Sequence, residues 1–200
     1  MLIGSEIIAD MLRNPDRDDP LLVVPKPDVN DLIRAGSASL DLRLGTWFGT
    51  LRGERTSCLA VSSRHTEPSL VKLLHVPFGK PFYLHPKAFV LASTLEWIRV
   101  PSKLAGSVTA RSSWGRRGLI IATATGVHPG FTGCLTLELA NVGAAPIELR
   151  PGMSLCQLFF EEVNRDLKTT DKSRFLGRRK PILGKIDLDW IAKALQVQNP

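Results

Sequence analysis

Residues 134–141 read Cys-Leu-Thr-Leu-Glu-Leu-Ala-Asn, and this stretch decides the fold class. Leu135, Leu137 and Leu139 recur with a period of two, so they share one side of an extended chain, while Thr136, Glu138 and Ala140 share the other. That pattern is a half-buried β-strand with one carboxylate leaving the leucine side between two small neighbours. A glutamate so placed is either simply solvated or a general base with room for a ligand, and the strand alone does not separate the two.

Upstream in the same compact unit, residues 111–118 read Arg-Ser-Ser-Trp-Gly-Arg-Arg-Gly. Serines beside glycines let backbone N–H groups and hydroxyls converge on one anion, and Arg111 and Arg116 can add forked bonds to phosphate oxygens. The GxxxxGK[ST] phosphate loop is absent, and a solvated turn with surface arginines fits the same composition.

Further from the centre, the period-two signal repeats. Leu40, Leu42 and Leu44 alternate with Asp41 and Arg43, predicting a strand that ends at Gly45. Short apolar runs follow at 70–76, 81–84, 88–92, 97–100 and 107–110, and two more lie around Pro151-Gly152 within 147–161. Fourteen prolines and sixteen glycines, mostly between the runs, fit many short strands joined by tight turns. The expected class is all-β with minor α: a sandwich or a jelly-roll-like barrel. Ser5 is the expected cap of a short amphipathic helix over 5–13, stopped by Asn14-Pro15. Residues 16–27 read as an acidic, proline-broken loop with a short apolar insert at 21–24. From 164 to 180 four arginines and three lysines replace the apolar residues, which predicts a mobile basic tail, with Asp187 capping a last helix. The chain divides on this reading into a domain over 1–163 and a tail plus helix over 164–200.

Composition narrows the function classes. No apolar run approaches the roughly 18 residues a membrane span needs, and the first twenty residues lack the pattern of a signal peptide, so a cytoplasmic protein is expected. Cys58, Cys134 and Cys156 are scattered and odd in number, which suits a reducing compartment, and Cys134 and Cys156 are expected to be buried. A formal net charge of +7 suits a polyanionic partner, a nucleotide or a nucleic acid. Few aromatics accompany the basic run, which argues against stacking on single strands. His65-Thr66-Glu67 matches the HxE element of zinc deaminases, but no PCxxC completes it, and His75, His85 and His128 add no ligand spacing. No protein-held metal is expected.

In combination these residues resemble the dCTP deaminase family of the trimeric dUTPase-like fold. The resemblance is carried by Arg111-Ser112-Ser113 with Arg116, Thr123-Ala124, Pro129-Gly130, Gly133, the LTLEL strand with Asn141, and Pro151-Gly152-Met153 with Gln157. Residues 39–45 and 89–96 are similar to family segments as well. It implies a homotrimer of distorted β-barrels with active sites at subunit interfaces, deaminating dCTP to dUTP and ammonia without zinc, with Mg2+ bound through the substrate triphosphate. Position by position, it implies Glu138 as the base that activates water, with Ser112, Arg116 and the backbone of Ala124 orienting the water and the amine. Arg111 and Ser113 would hold phosphates, Thr136, Leu137 and Glu138 would line the base, and Gln157 would contact the nucleotide.

Three departures stand out. His128 occupies the place of the family's aspartate, which meets the deoxyribose hydroxyl. Residues 119–123 are one residue shorter and lack a histidine, which bears on feedback by dTTP. The nucleotide-covering tail reads Ser173-Arg174-Phe175-Leu176-Gly177-Arg178 where the family resembles Ser-Lys-Tyr-Gln-Gly-Gln, so Arg174 and Arg178 would bring charge to that cover.

Overall fold

The structure, a computed structural model, describes residues 1–52, 70–121, 126–164 and 177–184. The expected helix over 187–195, Cys58, the 65–67 element, Ala124 and Arg174 lie outside these residues.

Most of the described chain is strand, as the alternation predicts. In order come helix α1 (Ser5–Arg13), β1 (Leu22–Val24), helix α2 (Val29–Ala35), β2 (Ser39–Leu51), β3 (Val71–His75), β4 (Phe82–Leu84), β5 (Phe89–Arg99) and β6 (Leu104–Ala110). A single helical turn α3 (Ser112–Gly115) leads to β7 (Leu119–Ile121), β8 (Gly126–Val127), β9 (Thr132–Asn141), β10 (Ile147–Leu149) and β11 (Ser154–Glu162). One sheet runs β7-β9-β5-β2-β11-β6-β8, with β1 added on β5 and β3 on β2, and a small β4–β10 ribbon stands apart.

The sheet curls because its two longest strands each bend once. The β2–β5 pairing is irregular between Leu44 and Phe48, and the β5–β9 pairing between Ser93 and Trp97. Gly45 therefore does not end the strand, as the sequence suggests; it is the crossing point. A Cβ there would lie 2.7 Å from the Thr94 carbonyl oxygen and 2.8 Å from that of Ser93, so only glycine lets the strands touch. For the same reason the runs at 88–92 and 97–100 are one bent strand, not two. The bend is fastened by polar groups. Glu96, 1% exposed, accepts from the backbone N of Arg43 (2.8 Å) and from its Nε (2.7 Å). Thr94 Oγ1 donates to the Glu96 carbonyl (2.9 Å) and accepts from Leu135 N (2.9 Å).

Inside the curl, Leu42, Leu44, Phe48, Val90, Ala92, Leu137, Leu139, Leu158 and Phe160 are fully buried, with Ile8 of α1 packed on them. β9 shows the predicted alternation at every residue, leucines buried and Thr136, Glu138 and Ala140 half-buried.

The remaining expectations meet mixed outcomes. α1 spans 5–13, but Ser5 is its buried first residue, and Gly4 holds the capping position without a side-chain bond. α2 was not expected. Asp28 caps it by accepting from the N–H groups of Asn30 and Asp31, and Gly36 closes it at φ +57°. The apolar insert at 21–24 is an edge strand on β5, not loop. Cys156 is buried and burial pushes its thiol up to about 12, whereas Cys134 is only half-buried.

Candidate active site

The register across the sheet defines the outer face. Leu73 of β3 pairs with Gly49 of β2, Gly49 with Leu91 of β5, and Leu91 with Glu138 of β9. Directly paired residues point to the same side, so Leu73, Leu91 and Glu138 share the face opposite the core. The next row on this face is Phe89, Ala140 and Ile120, in which Phe89 and Ile120 are 40% and 44% exposed.

Glu138 is unlike the other carboxylates. Among the described residues no hydrogen bond or ion pair engages it, yet it is half-buried, and loss of water alone raises its carboxyl above the ordinary value. Glu148, by contrast, is held below the usual range by its bond from Arg150 Nε (2.6 Å) and by Tyr83 (3.1 Å). A partnerless, partly dehydrated carboxylate on an accessible face is the arrangement a general base needs.

The segment 177–182 crosses near this face. β7 covers β9 only from Leu139 to Asn141, and the returning tail takes the edge further back. Gly177 N donates to the Thr132 carbonyl (2.6 Å), and Cys134 N donates to that of Arg178 (2.8 Å). Gly133, at φ +143°, makes the approach possible, since a Cβ there would lie 3.0 Å from the Arg178 carbonyl oxygen. Lys180 Nζ then rests 4.0 Å from the centroid of the Trp47 ring on β2. This part of the basic tail is thus docked, contrary to the expectation of a mobile one. Residues 165–176 lie outside the described residues. Between the segment and β3 is a cavity of about 590 Å³ lined by Val71, Leu73, Arg178, Arg179, Lys180 and Ile182, among others.

The cationic turn joins the two sides of the curl, because β6 before it pairs with β11 and β7 after it pairs with β9. Trp114 Nε1 donates to the Ser154 carbonyl (2.9 Å), and Arg117 Nη1 to that of Ser113 (2.7 Å). Gly118, at φ +86°, packs where a Cβ would lie 2.7 Å from Gly143 N. Ser112, Ser113 and Arg116 are exposed, and among the described residues the Arg116 guanidinium has no partner. Arg111 is already engaged: its Nη1 bonds Asp41 and Ser154 Oγ. Gln157 faces Asp41 across β2–β11 and donates to Ser39 Oγ (3.1 Å).

The predicted residues therefore form two groups. Arg111 and Gln157 gather around Asp41, while Thr136 and Glu138 stand on β9, with β5 and β2 between β9 and β11. No hydrogen bond or ion pair among the described residues joins the groups. Leu137 points into the core, so only its backbone is open to a ligand. His128 is exposed after β8. Sequence reasoning missed Asp41 and Ser154 as partners of Arg111, and Gly133 and Trp47 as seats for the tail. It also missed Leu91 beside Glu138, because the run at 88–92 reads as core until the register is known.

Comparison with known proteins bears on the family and the fold. A family model described as "dCTP deaminase-like" matches residues 24–163. A protein of Dictyoglomus turgidum named "dCTP deaminase, dUMP-forming" is 35% identical over 161 residues, covering 78% of this chain and 82% of its own. A "dCTP deaminase" of Halorubrum lacusprofundi is 38% identical over 169 residues, covering 84% and 80%. The crystal structure of the 2'-deoxycytidine 5'-triphosphate deaminase of Agrobacterium tumefaciens shares the fold, with a TM-score of 0.59 at 20% identity. That match covers 80% of this chain and about half of the other, 46%. The protein is an enzyme of the dCTP deaminase family.

Proposed function

We propose that the protein hydrolyses the exocyclic amine of dCTP, giving dUTP and ammonia, with Glu138 as the base and without zinc. The observation that carries this is Glu138 itself, half-buried and unpartnered on the outer face of β9 with its proton affinity raised by desolvation. The amine is a poor leaving group, so a water must lose a proton as it adds to C4 of cytosine, and the amine must gain one as the C4–N bond breaks. One carboxylate does both in turn, a contribution of about 10²–10⁴ in rate. Ser112, Arg116 and the backbone of Ala124 are assigned to orient water and amine, and fixed donors at the tetrahedral centre supply more.

Arg111 and Ser113 hold phosphates in this reading, Thr136 and Leu137 line the base, and His128 meets the sugar hydroxyl. Gln157, Arg174 and Arg178 contact the nucleotide. Support for Arg178 comes from its backbone bond to Cys134, on the same strand as Glu138, and from the cavity it lines with Arg179 and Lys180. In this reading Mg2+ is carried on the substrate triphosphate, against the cations Arg178, Arg179 and Lys180 that line the cavity. There it would offset phosphate charge.

The site is completed by a second copy, in a homotrimer. The separation of Glu138 from Arg111 and Gln157 within one chain supports this, as does the exposed apolar row Phe89–Ala140–Ile120 next to Glu138. Residues 1–163 form the catalytic barrel and 164–200 the nucleotide cover. The setting is cytoplasmic; no helix among the described residues is long and apolar enough to cross a membrane. The partner is a free nucleotide, not a nucleic acid.

The test is incubation with dCTP and magnesium: ammonia is released, and Glu138→Gln abolishes the release. Retained release in that variant refutes the role of Glu138. A second reading, further hydrolysis to dUMP, is favoured by the names of the relatives from Dictyoglomus turgidum and Dictyoglomus thermophilum. His128 weighs against it, since the aspartate in that place in related diphosphatases positions the attacking water. Chromatography of the product, dUTP against dUMP, decides between them.

A further inference from the structure

We propose that Leu91 is a positioning residue of the site, the apolar wall that keeps water from one flank of Glu138 and so determines at what pH this carboxylate takes up a proton. Leu91 belongs to the outer face, yet it is only 3% exposed. It is Glu138's direct partner in the β5–β9 register, at the side-chain separation where neighbours touch. Beyond it, Gly49 supplies no side chain. A Cβ there would lie 3.6 Å from Leu91 Cβ, 3.8 Å from Leu73 Cδ2 and 3.0 Å from Val71 Cγ1, so an apolar strip from β3 closes up against Leu91. Leu91 and Val71 are buried outside the main core, which leaves shielding of this face as their role.

Among the described residues, the charged and titratable groups on the same face are few. Cys134 lies on β9 itself, with Arg179 of the tail close enough to act on its thiol. His75 is on β3, its ring tilted against Trp47, and Arg178 and Lys180 belong to the docked segment. β5 presents Phe89, Leu91 and Ser93, and β7 presents Ile120. Among the described residues, burial is what raises the Glu138 carboxyl, with no charged neighbour acting on it. With charge removed from the account, the neighbouring hydrocarbon is what remains.

The experiment is a direct titration of the Glu138 carboxyl by carbon NMR of glutamate-labelled protein, assigned with Glu138→Gln. Leu91→Asn, with the same branching at Cγ but a smaller side chain, brings a polar group to that flank, and its midpoint falls by about one pH unit, a tenfold change in proton affinity. Leu91→Met keeps the wall apolar and leaves the midpoint in place. Leu91→Ala, which removes bulk without adding polarity, gives a smaller fall and serves if the Asn variant does not fold. An unmoved midpoint in Leu91→Asn or Leu91→Ala overturns the inference. The role of Leu91 in catalysis rests on Glu138 being the base, and the pH–rate profile examines that separately. If the midpoint falls while the acidic limb of kcat/KM stays fixed, Leu91 still governs Glu138 and the base assignment is what fails.

Discussion

Replacing Gly133 by alanine tests whether the tail is seated as described. The residue sits at φ +143°, a conformation side chains disfavour, and the added methyl would lie 3.0 Å from the Arg178 carbonyl oxygen and 3.2 Å from its N. Backbone atoms cannot swing aside as a long side chain can, so the segment must lift. What lifting forfeits is the Gly177–Thr132 and Cys134–Arg178 bonds and the Lys180–Trp47 contact. At about 1 kcal/mol for each bond and about 0.5–1 kcal/mol for an exposed cation–π contact, the seat is worth about 3 kcal/mol. That is roughly a hundredfold shift from seated toward lifted. Because Gly133 belongs to β9, the strain at φ +143° also falls on the barrel and lowers the melting temperature, while exchange of the Cys134 amide accelerates by about two orders of magnitude. On the proposal that this tail covers the nucleotide, KM for dCTP rises as well. Unchanged Cys134 exchange in a folded Gly133→Ala protein would refute the reasoning.

The other expectations concern the bend and the base. Gly45→Ala places a Cβ within 2.8 Å of two backbone carbonyl oxygens, and should destabilise by about 2 kcal/mol or more in urea denaturation. Arg43→Met strips the buried Glu96 of its ion pair, and should cost about 3 kcal/mol by the same assay, whereas Arg43→Met with Glu96→Gln recovers part of the loss. Burial raises the carboxyl of Glu138 above its ordinary value of 4.5, so between that pH and its folded midpoint the native state holds more protons than the unfolded state. Its contribution to stability is therefore lost as pH rises through that window. Glu138→Gln should accordingly be more stable than the natural protein at neutral pH, with the gap closing on acidification below 4.5. A gap that widens in acid would contradict the shift.

How much of this was legible in the sequence depended on whether a feature is written along the chain or across it. β9 was legible because one face is core and one is not, so alternation marks every residue. β2 and β5 were misread at Gly45 and near Leu95, since a bend interrupts the period where the strand itself continues. α2 carries both its signals, Asp28 before it and Gly36 after it, but only Leu32 is buried, so its apolar stripe is faint between prolines and acids. The seated segment was invisible because it is held mainly through backbone groups and one ring contact, neither of which composition records. Within the site, Glu138 and the Arg111–Arg116 turn could be picked out one by one. Leu91 could not, because its neighbour across the sheet is set by register between strands far apart in sequence.

Trp47 has Lys180 over its ring and His75 at 4.9 Å between ring centroids on β3. An ammonium held against an indole shifts its emission, and a protonated imidazole quenches it. The enzyme thus carries a built-in optical probe of its own tail. Emission should change when nucleotide disturbs Lys180, and Lys180→Met should silence that response without any label being attached.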